Sequence, residues 1–289
     1  YEDLCNFEGN ANGFKIISEN KAGIKGGLRL SYATLGAFTK YPRKSILNKK
    51  SNHIKDKKFG FFHSQNYFFD EVANELGMID SNGSYMRHPL AFLVEAADDI
   101  CYTLIDFEDG INLGWISEEY ALEFLIRLVK DSIDTKKYNS LKHKTDRVAY
   151  LRALSINTLI NDTVKIFLKN EDKILNGEFT KTLLSESVFK AQMEDIIDIS
   201  VKKVYNSKEV IEKELKGYQV IHKLLSVFIK ATVNNQSDKT TALDDLVLAS
   251  LPETYIHKDG NLYNQLLDVS CFVASLTDGN ALEWYNKIS

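Results

Sequence analysis

The chain has 289 residues, of which 44% are apolar and 26% charged, and its formal net charge at pH 7 is −4. This composition excludes a disordered or low-complexity polypeptide, because apolar and aromatic side chains are frequent enough to form a core. A net negative charge argues against binding to DNA or to an anionic membrane through the overall charge of the protein. No apolar run approaches the roughly 18 residues that span a bilayer.

Apolar residues recur at helical spacing along most of the chain. Helices are predicted over 10–20, 27–41, 65–77, 90–109, 118–130, 145–169, 180–203, 206–233 and 261–287. The glycine-rich stretch 23–27 separates the first two, and Pro42 is expected to end the second. The lysine-rich stretch 42–60 is predicted to be an exposed loop, and the polar stretch 234–242 a linker.

No alternating strand pattern and no internal repeat are visible, so the predicted fold class is all-α. We expect a single helical domain over residues 1–289, with a core of about residues 1–170 and a C-terminal helical layer of about residues 171–289. The cysteines at positions 5, 101 and 271 fit neither a disulfide framework nor a zinc knuckle. They predict free, half-buried thiols in a reducing, cytoplasmic compartment.

The most informative stretch begins at Arg87. Pro89 suits the first turn of a helix, and Gly110 is expected to stop it. Apolar residues surround the helix almost completely, which predicts that it is buried. Asp98, Tyr102 and Asp106 follow at i, i+4 and i+8, so one face presents a carboxylate, a phenol and a second carboxylate.

Acidic residues of this helix lack a basic neighbour in sequence, because no lysine or arginine lies between Arg87 and Arg127. They are Glu95, Asp98, Asp99, Asp106, Glu108 and Asp109. A buried carboxylate costs several kcal/mol unless it is paired, protonated or metal-bound. Either the helix is half-buried and these acids face water or a distant arginine, or they form a functional site.

The segment from Glu95 to Tyr102 (Glu-Ala-Ala-Asp-Asp-Ile-Cys-Tyr), followed by Asp106 to Asp109, strongly resembles the signature of the deoxyguanosine triphosphate triphosphohydrolases of the HD superfamily. Three further stretches agree with that family in the same order, namely 6–13, 39–42 and 57–62. The resemblance implies an all-α HD-superfamily fold with additional C-terminal helices.

The resemblance also implies a reaction. Water attacks the α-phosphorus of a deoxynucleoside triphosphate (dNTP), dGTP first among them, and releases deoxynucleoside and inorganic triphosphate. A divalent metal is implied as cofactor, Mg or Mn with Fe or Zn as alternatives. Implied partners are the dNTP, a second copy of the chain in a homo-oligomer and, in some members, single-stranded DNA, with no membrane.

Roles for individual residues follow from the same resemblance. Asp98 matches a metal-ligating aspartate, Tyr102 a tyrosine packed on the deoxyribose, and Asp106 an acid that accepts the 3′-hydroxyl. The residues implied near the rest of the substrate are Asn10, Lys40 and Lys58 at the polyphosphate and Tyr41 in the pocket. Lysines in such a loop suit a triphosphate, because phosphoryl chemistry depends on positioning and charge stabilisation.

The chain departs from the family pattern in its histidines. None of the six is followed by aspartate, whereas the family holds its metal through a His and a His-Asp pair that precede the motif starting here at residue 7. We therefore expect the chain to be the C-terminal part of such an enzyme, without a catalytic residue of its own. His63 and His88 are expected to be structural, with His88 capping or packing the helix that starts at Pro89.

Two other functions remain open. One is a catalytically incomplete helical module that binds nucleotides or single-stranded nucleic acid through residues 40–58, with Tyr41, Phe59, Phe61 and Phe62 as stacking platforms. The other is an HD-type phosphodiesterase of different specificity, against which the Tyr102/Asp106 pair argues. Steep weakening by salt would mark nucleic-acid binding.

Overall fold

The computed structural model describes residues 2–19, 27–45, 58–130, 132–255 and 260–288. In those ranges it is helical, with two isolated β-bridges and no strand, which confirms the all-α prediction. None of the described helices combines the length and the apolar character that crossing a membrane requires.

The α-helices of the described ranges run in chain order as follows: α1 (Glu2–Cys5), α2 (Gly9–Ser18), α3 (Tyr32–Phe38), α4 (Asn66–Glu75), α5 (Pro89–Asn112), α6 (Glu118–Val129), α7 (Thr135–Ser140), α8 (Lys144–Lys169), α9 (Glu171–Leu175), α10 (Lys190–Ser200), α11 (Lys208–Gln236), α12 (Ala242–Ala249), α13 (Leu262–Ser275) and α14 (Asp278–Ile288). A π-helical turn, Val201–Tyr205, follows α10 directly.

Helix α5 lies in the centre of the main core. Its residues Ile100, Leu104, Phe107 and Ile111 recur every three or four positions, so they share one face, and all four are buried. They pack with buried residues of α6, α8, α10 and the π-helical turn. The packed face fixes the orientation of α5, so the opposite face is available for a site.

The N-terminal and C-terminal parts each have an aromatic core. Phe61 stacks on Phe69 of α4 at a ring distance of 4.1 Å, beside Phe14 of α2. In the C-terminal part, the rings of Phe228 in α11 and Phe272 in α13 lie 5.4 Å apart in an edge-to-face contact. The division of the chain near residue 170 stays a prediction.

Helix α13 also connects the two ends of the chain. Its Tyr263 hydroxyl donates to Oδ2 of the buried Asp3 at 2.6 Å, and the same oxygen accepts the backbone N–H of His63 at 2.9 Å. Burial and this carboxylate raise the pKa of the Tyr263 phenol, so it remains a donor at neutral pH. The contact ties the segment after Lys58 to the C-terminal helices.

Two predicted long helices are wrong because local hydrogen bonds interrupt them. In the stretch 180–203, the Ser187 hydroxyl accepts the N–H of Phe189 at 3.0 Å, and α10 begins only at Lys190. In the stretch 261–287, Leu276 is extended and the Thr277 hydroxyl accepts the N–H of Asn280 at 3.3 Å. A new helix, α14, therefore starts where periodicity alone continues the old one.

Other helix boundaries also differ from the prediction. The predicted helix 27–41 is limited to α3, because Ser31 accepts the N–H of Thr34 and caps the helix there. The glycine-rich divider lies almost entirely outside the described residues. The prediction that Gly110 ends the helix is wrong, because α5 continues to Asn112. Gly110 is buried against Val204 and Ile116.

The cysteine prediction is confirmed for the free state of the thiols and wrong for their exposure. Cys5 and Cys101 are exposed, whereas Cys271 is buried. Burial raises the pKa of the Cys271 thiol to about 12, so it stays protonated and packs as a small apolar side chain.

Candidate active site

The exposed face of α5 carries the predicted acidic residues. Helix α5 starts where expected: Pro89 occupies its first turn, and Nδ1 of His88 accepts the N–H of Leu90 at 3.2 Å, which confirms the structural role of His88. Burial lowers the pKa of the His88 imidazole, so at neutral pH it is the uncharged acceptor that the cap needs.

The expectation that α5 is buried all round is wrong. Tyr102 is 61% exposed and Ile105 is 41% exposed, on the side away from the core. The side chain of Asp98 is 65% exposed, on the same side as Tyr102. The first two residues of the carboxylate–phenol–carboxylate line are therefore accessible to a ligand, and the third, Asp106, is half-buried.

Lys40 approaches this face from a distant part of the chain. Its Nζ lies 2.5 Å from Oδ2 of Asp98, 58 residues further along. The Lys40 side chain is only 15% exposed. The two charged groups form a charge-assisted hydrogen bond in which the lysine is largely covered and the carboxylate stays open to water. Two of the predicted site residues are thus in direct contact.

Tyr41 lies next to Lys40 and is half-buried. Burial, and then the negative charge of Glu95, raise the pKa of its phenol, while Lys40 and Arg87 act in the opposite direction. Tyr41 is therefore a neutral ring at physiological pH. Because the charges that act on Tyr41 include those of Glu95 and Asp99, Tyr41 lies near the first half of α5.

The two buried carboxylates of α5 are paired by arginines. Glu95 accepts from Arg87 at 2.9 Å, with both side chains almost fully buried, and the Arg87 guanidinium lies 4.2 Å from the centre of the Phe92 ring. Glu108 accepts from Arg152 of α8 at 2.6 Å. In both pairs an arginine neutralises the negative charge of a buried carboxylate, so Glu95 and Glu108 stabilise the fold.

Tyr205 is a site residue that sequence reasoning missed. Its hydroxyl donates to Oδ2 of Asp106 at 2.6 Å, across 99 residues. Its ring lies 6.4 Å from the Tyr102 ring. Burial, and then the hydrogen bonds with Asp106 and Tyr102, raise the pKa of Tyr205. The π-helical turn that carries it leaves no simple periodic signal in the sequence.

A cleft of about 440 Å³ opens on one flank of Tyr102, between α5 and α10. Tyr102 and Tyr205 form part of its wall, together with Leu184, Met193 and Ile197. This volume is within the ~300–1,000 Å³ that small-molecule sites occupy. The cleft therefore offers a largely apolar space directly beside the carboxylate line.

The side chains of Asn10 and Lys58 both contact the carboxylate of Glu8. Glu8 caps α2 and accepts from the Asn10 side-chain amide at 2.8 Å, and the Lys58 ammonium lies 3.7 Å from the same carboxylate. The side chain of Lys58 is 45% exposed. The structure thus groups these two residues with Glu8, while Lys40 and Tyr41 accompany α5.

Gly60 packs the two lysine-bearing segments against each other. Its N–H donates to the carbonyl of Arg43 at 3.2 Å, and a Cβ at this position would lie only 2.3 Å from the carbonyl oxygen of Tyr41. Pro42, Phe59 and Gly60 are buried, so the prediction of an exposed loop over 42–60 is wrong for these three residues, whereas Lys58 is exposed as predicted. Residues 46–57 lie outside the described ranges.

Replacing Gly60 by alanine is expected to destabilise the protein by about 1–3 kcal/mol, because the new methyl group overlaps backbone that cannot move independently. The urea midpoint and the melting temperature measure this change. Gly217 within α11 is the matched control, because its Cβ would meet open space. Gly217→Ala should stabilise by about 0.5–1 kcal/mol. Equal behaviour of the two variants would contradict the close contact.

The buried aromatic residues weaken the nucleic-acid alternative. Phe59, Phe61 and Phe62 are each at most 5% exposed and pack in aromatic clusters. Their faces are therefore unavailable for stacking on bases. Of the four rings proposed as platforms, Tyr41 alone is partly exposed.

The described residues do not form a metal site by themselves. Asp98 supplies one carboxylate, and a divalent ion requires several ligands. Within the described ranges, no three His, Cys, Asp or Glu side chains gather where they would hold a metal ion. The cation that the structure places on Asp98 is the ammonium of Lys40.

Fold and site define a class of protein: an all-α protein with a partly exposed carboxylate–tyrosine–carboxylate helix face that a lysine from a distant segment contacts. No protein-family model matches the chain. The chain is 33% identical, over 99% of its length, to a deoxyguanosinetriphosphate triphosphohydrolase-like protein of Synechocystis sp.. It is 31% identical, over its whole length, to such a protein of Listeria monocytogenes.

A third relative, at 25% identity over 99% of the chain, is the deoxyguanosinetriphosphate triphosphohydrolase of Cronobacter sakazakii. The chain belongs to this deoxyguanosinetriphosphate triphosphohydrolase-like family. It spans 66% of the length of the Synechocystis and Listeria relatives and 64% of the Cronobacter relative.

Proposed function

We propose that the protein hydrolyses deoxynucleoside triphosphates, dGTP first among them, to deoxynucleoside and inorganic triphosphate. The observation that carries this proposal is the line of Asp98, Tyr102 and Asp106 on α5, of which Asp98 and Tyr102 are exposed and Asp106 is half-buried, with Lys40 held against Asp98. The names of the relatives support the same activity.

The positive charge near the face suits a polyphosphate. A triphosphate needs cations at the oxygens where charge develops, and such interactions are strong where little water is present. The ammonium of Lys40 meets that condition because its side chain is mostly buried. In the proposed complex, Lys40 exchanges part of its contact with Asp98 for a phosphate oxygen. Lys58 and Asn10 approach the polyphosphate from the side of Glu8.

The second half of the line suits a deoxyribose. Tyr102 presents a flat, exposed ring against which an apolar sugar edge packs, and a 2′-hydroxyl pressed against that ring would lose its hydrogen bonds to water. Asp106, one helical turn further on, accepts a hydrogen bond from the 3′-hydroxyl. The adjoining cleft has room for the base.

The proposal includes a divalent metal, Mg or Mn, to which Asp98 would contribute one carboxylate. Such an ion polarises a phosphoryl oxygen and acidifies its bound water. The described residues do not provide the remaining ligands. Homo-oligomerisation and binding of single-stranded DNA belong to the proposal only through the resemblance to the family.

Product analysis tests this function. The full-length gene product and the present chain are each incubated with the four dNTPs and the four ribonucleotides, in Mn²⁺ or Mg²⁺. We expect the full-length protein to release inorganic triphosphate and deoxynucleoside in equal amounts from dNTPs, and much less from ribonucleotides. The identity of the phosphate product matters because it reports which bond is broken: inorganic triphosphate is released only when the bond between the 5′-oxygen and the α-phosphorus is cleaved.

Other outcomes point elsewhere. Release of pyrophosphate or orthophosphate would indicate a phosphohydrolase of different specificity. No product, together with binding of single-stranded DNA that weakens steeply between 50 and 200 mM salt, would favour the binding module instead. Either result contradicts the proposed hydrolysis.

A further inference from the structure

Tyr205 and Val204 pack along the same line of α5 that carries the predicted site. Tyr205 donates its hydroxyl to Asp106, and Val204 sits against Gly110, one helical turn further on. A Cβ at position 110 would lie 2.6 Å from Cγ2 of Val204. Two neighbouring residues of the π-helical turn thus contact two positions of α5 that are four residues apart.

The π-helical turn explains how both contacts are made. A π-helix has more residues per turn than an α-helix. Val204 and Tyr205 therefore face a different direction from the one that a continued α10 would give them. Val204 is buried in the main core together with Ile199 and Ile111. The core therefore fixes the position of Tyr205, and Tyr205 in turn restrains the carboxylate of Asp106.

The restraint has a chemical consequence for Asp106. A phenol hydroxyl on one carboxylate oxygen, at 2.6 Å, forms a charge-assisted hydrogen bond that orients the whole group. Within the described residues, Oδ1 of Asp106 accepts no hydrogen bond, so this second oxygen is left for a ligand. A fixed acceptor binds a hydroxyl better than a rotating one, because less freedom is lost on binding.

We propose that Tyr205 is a positioning residue for the sugar site: its hydroxyl holds Asp106 so that the other carboxylate oxygen faces the 3′-hydroxyl of the deoxynucleotide. The proposal rests on the proposed function and adds a specificity role for the π-helical turn. It requires that loss of the Tyr205 hydroxyl weakens interactions made through the 3′-hydroxyl much more than the others, because Tyr102, the second hydrogen-bond partner of this hydroxyl, would contact the sugar through its ring.

The experiment combines Tyr205→Phe in the full-length protein with a change in the substrate. Each variant is assayed with a dNTP and with the matching 2′,3′-dideoxynucleotide, as a substrate or, where turnover is slow, as a competitive inhibitor. For Tyr205→Phe we expect kcat/KM for the dNTP to fall roughly tenfold to a hundredfold, the usual effect of losing a hydrogen bond to a charged group. The constant for the dideoxynucleotide should change less than about twofold.

Tyr263→Phe is the matched control, because Tyr263 also donates a 2.6 Å hydrogen bond to a carboxylate, that of Asp3. Any effect of this variant should be the same for both nucleotides. An equal loss for both nucleotides in Tyr205→Phe would show that Tyr205 only stabilises the fold, and would overturn the proposal while leaving hydrolysis intact. Failure of the wild-type protein to hydrolyse dNTPs would overturn the proposed function and the role of Tyr205 with it.

Discussion

Replacing Glu95 by glutamine is expected to lower the free energy of unfolding by about 3–5 kcal/mol, because Arg87 would remain buried without a counter-ion. The two side chains are only 5% and 6% exposed and lie 2.9 Å apart. Nε and Nη1 of Arg87 are buried and have no hydrogen-bond partner among the described residues, so few other contacts in that part of the chain compensate its charge. Urea unfolding followed by circular dichroism measures the change.

The exposed pair of Arg127 and Glu123 provides a matched control. Arg127 also lies over a phenylalanine ring, that of Phe124, but both charged side chains are about half exposed. Glu123→Gln should therefore cost less than about 1 kcal/mol.

A double variant, Arg87→Met with Glu95→Gln, removes the unpaired charge and should be more stable than Glu95→Gln alone. A loss for Glu95→Gln as small as that for Glu123→Gln would show that the Arg87–Glu95 pair is hydrated in solution.

Replacing Lys40 by methionine is expected to reduce kcat/KM for triphosphate release roughly 10²- to 10³-fold in the full-length protein, the usual effect of removing one preorganised charge-stabilising donor. Methionine preserves much of the apolar length of lysine, so the change is mainly one of charge. The Lys40–Asp98 pair is exposed on its carboxylate side, so we expect little change in melting temperature.

Lys44→Met controls for a general loss of positive charge on the same segment. Lys44 is 44% exposed, and its ammonium lies 3.8 Å from Asp70 of α4. Its replacement should leave kcat/KM within about twofold of the wild-type value, since an exposed, screened charge contributes little. Equal effects of the two lysine variants would remove Lys40 from the substrate site.

Sequence alone determined the helical class and the spacing of Asp98, Tyr102 and Asp106, because both follow from local periodicity. It also determined the resemblance to the family, which the relatives support. The sequence did not reveal helix interruptions such as the one at Thr277. There, a single side-chain cap determines whether one helix continues or a new helix starts.

Only the tertiary structure decided which carboxylates are paired and which are available. Lys40 reaches Asp98 across 58 residues, Arg152 reaches Glu108 across 44, and Tyr205 reaches Asp106 across 99. Periodicity shows which residues share a face of α5, but not which face the core covers. That choice depends on how α6, α8 and α10 pack against α5, and it leaves Asp98 and Tyr102 exposed while burying Glu95 and Glu108.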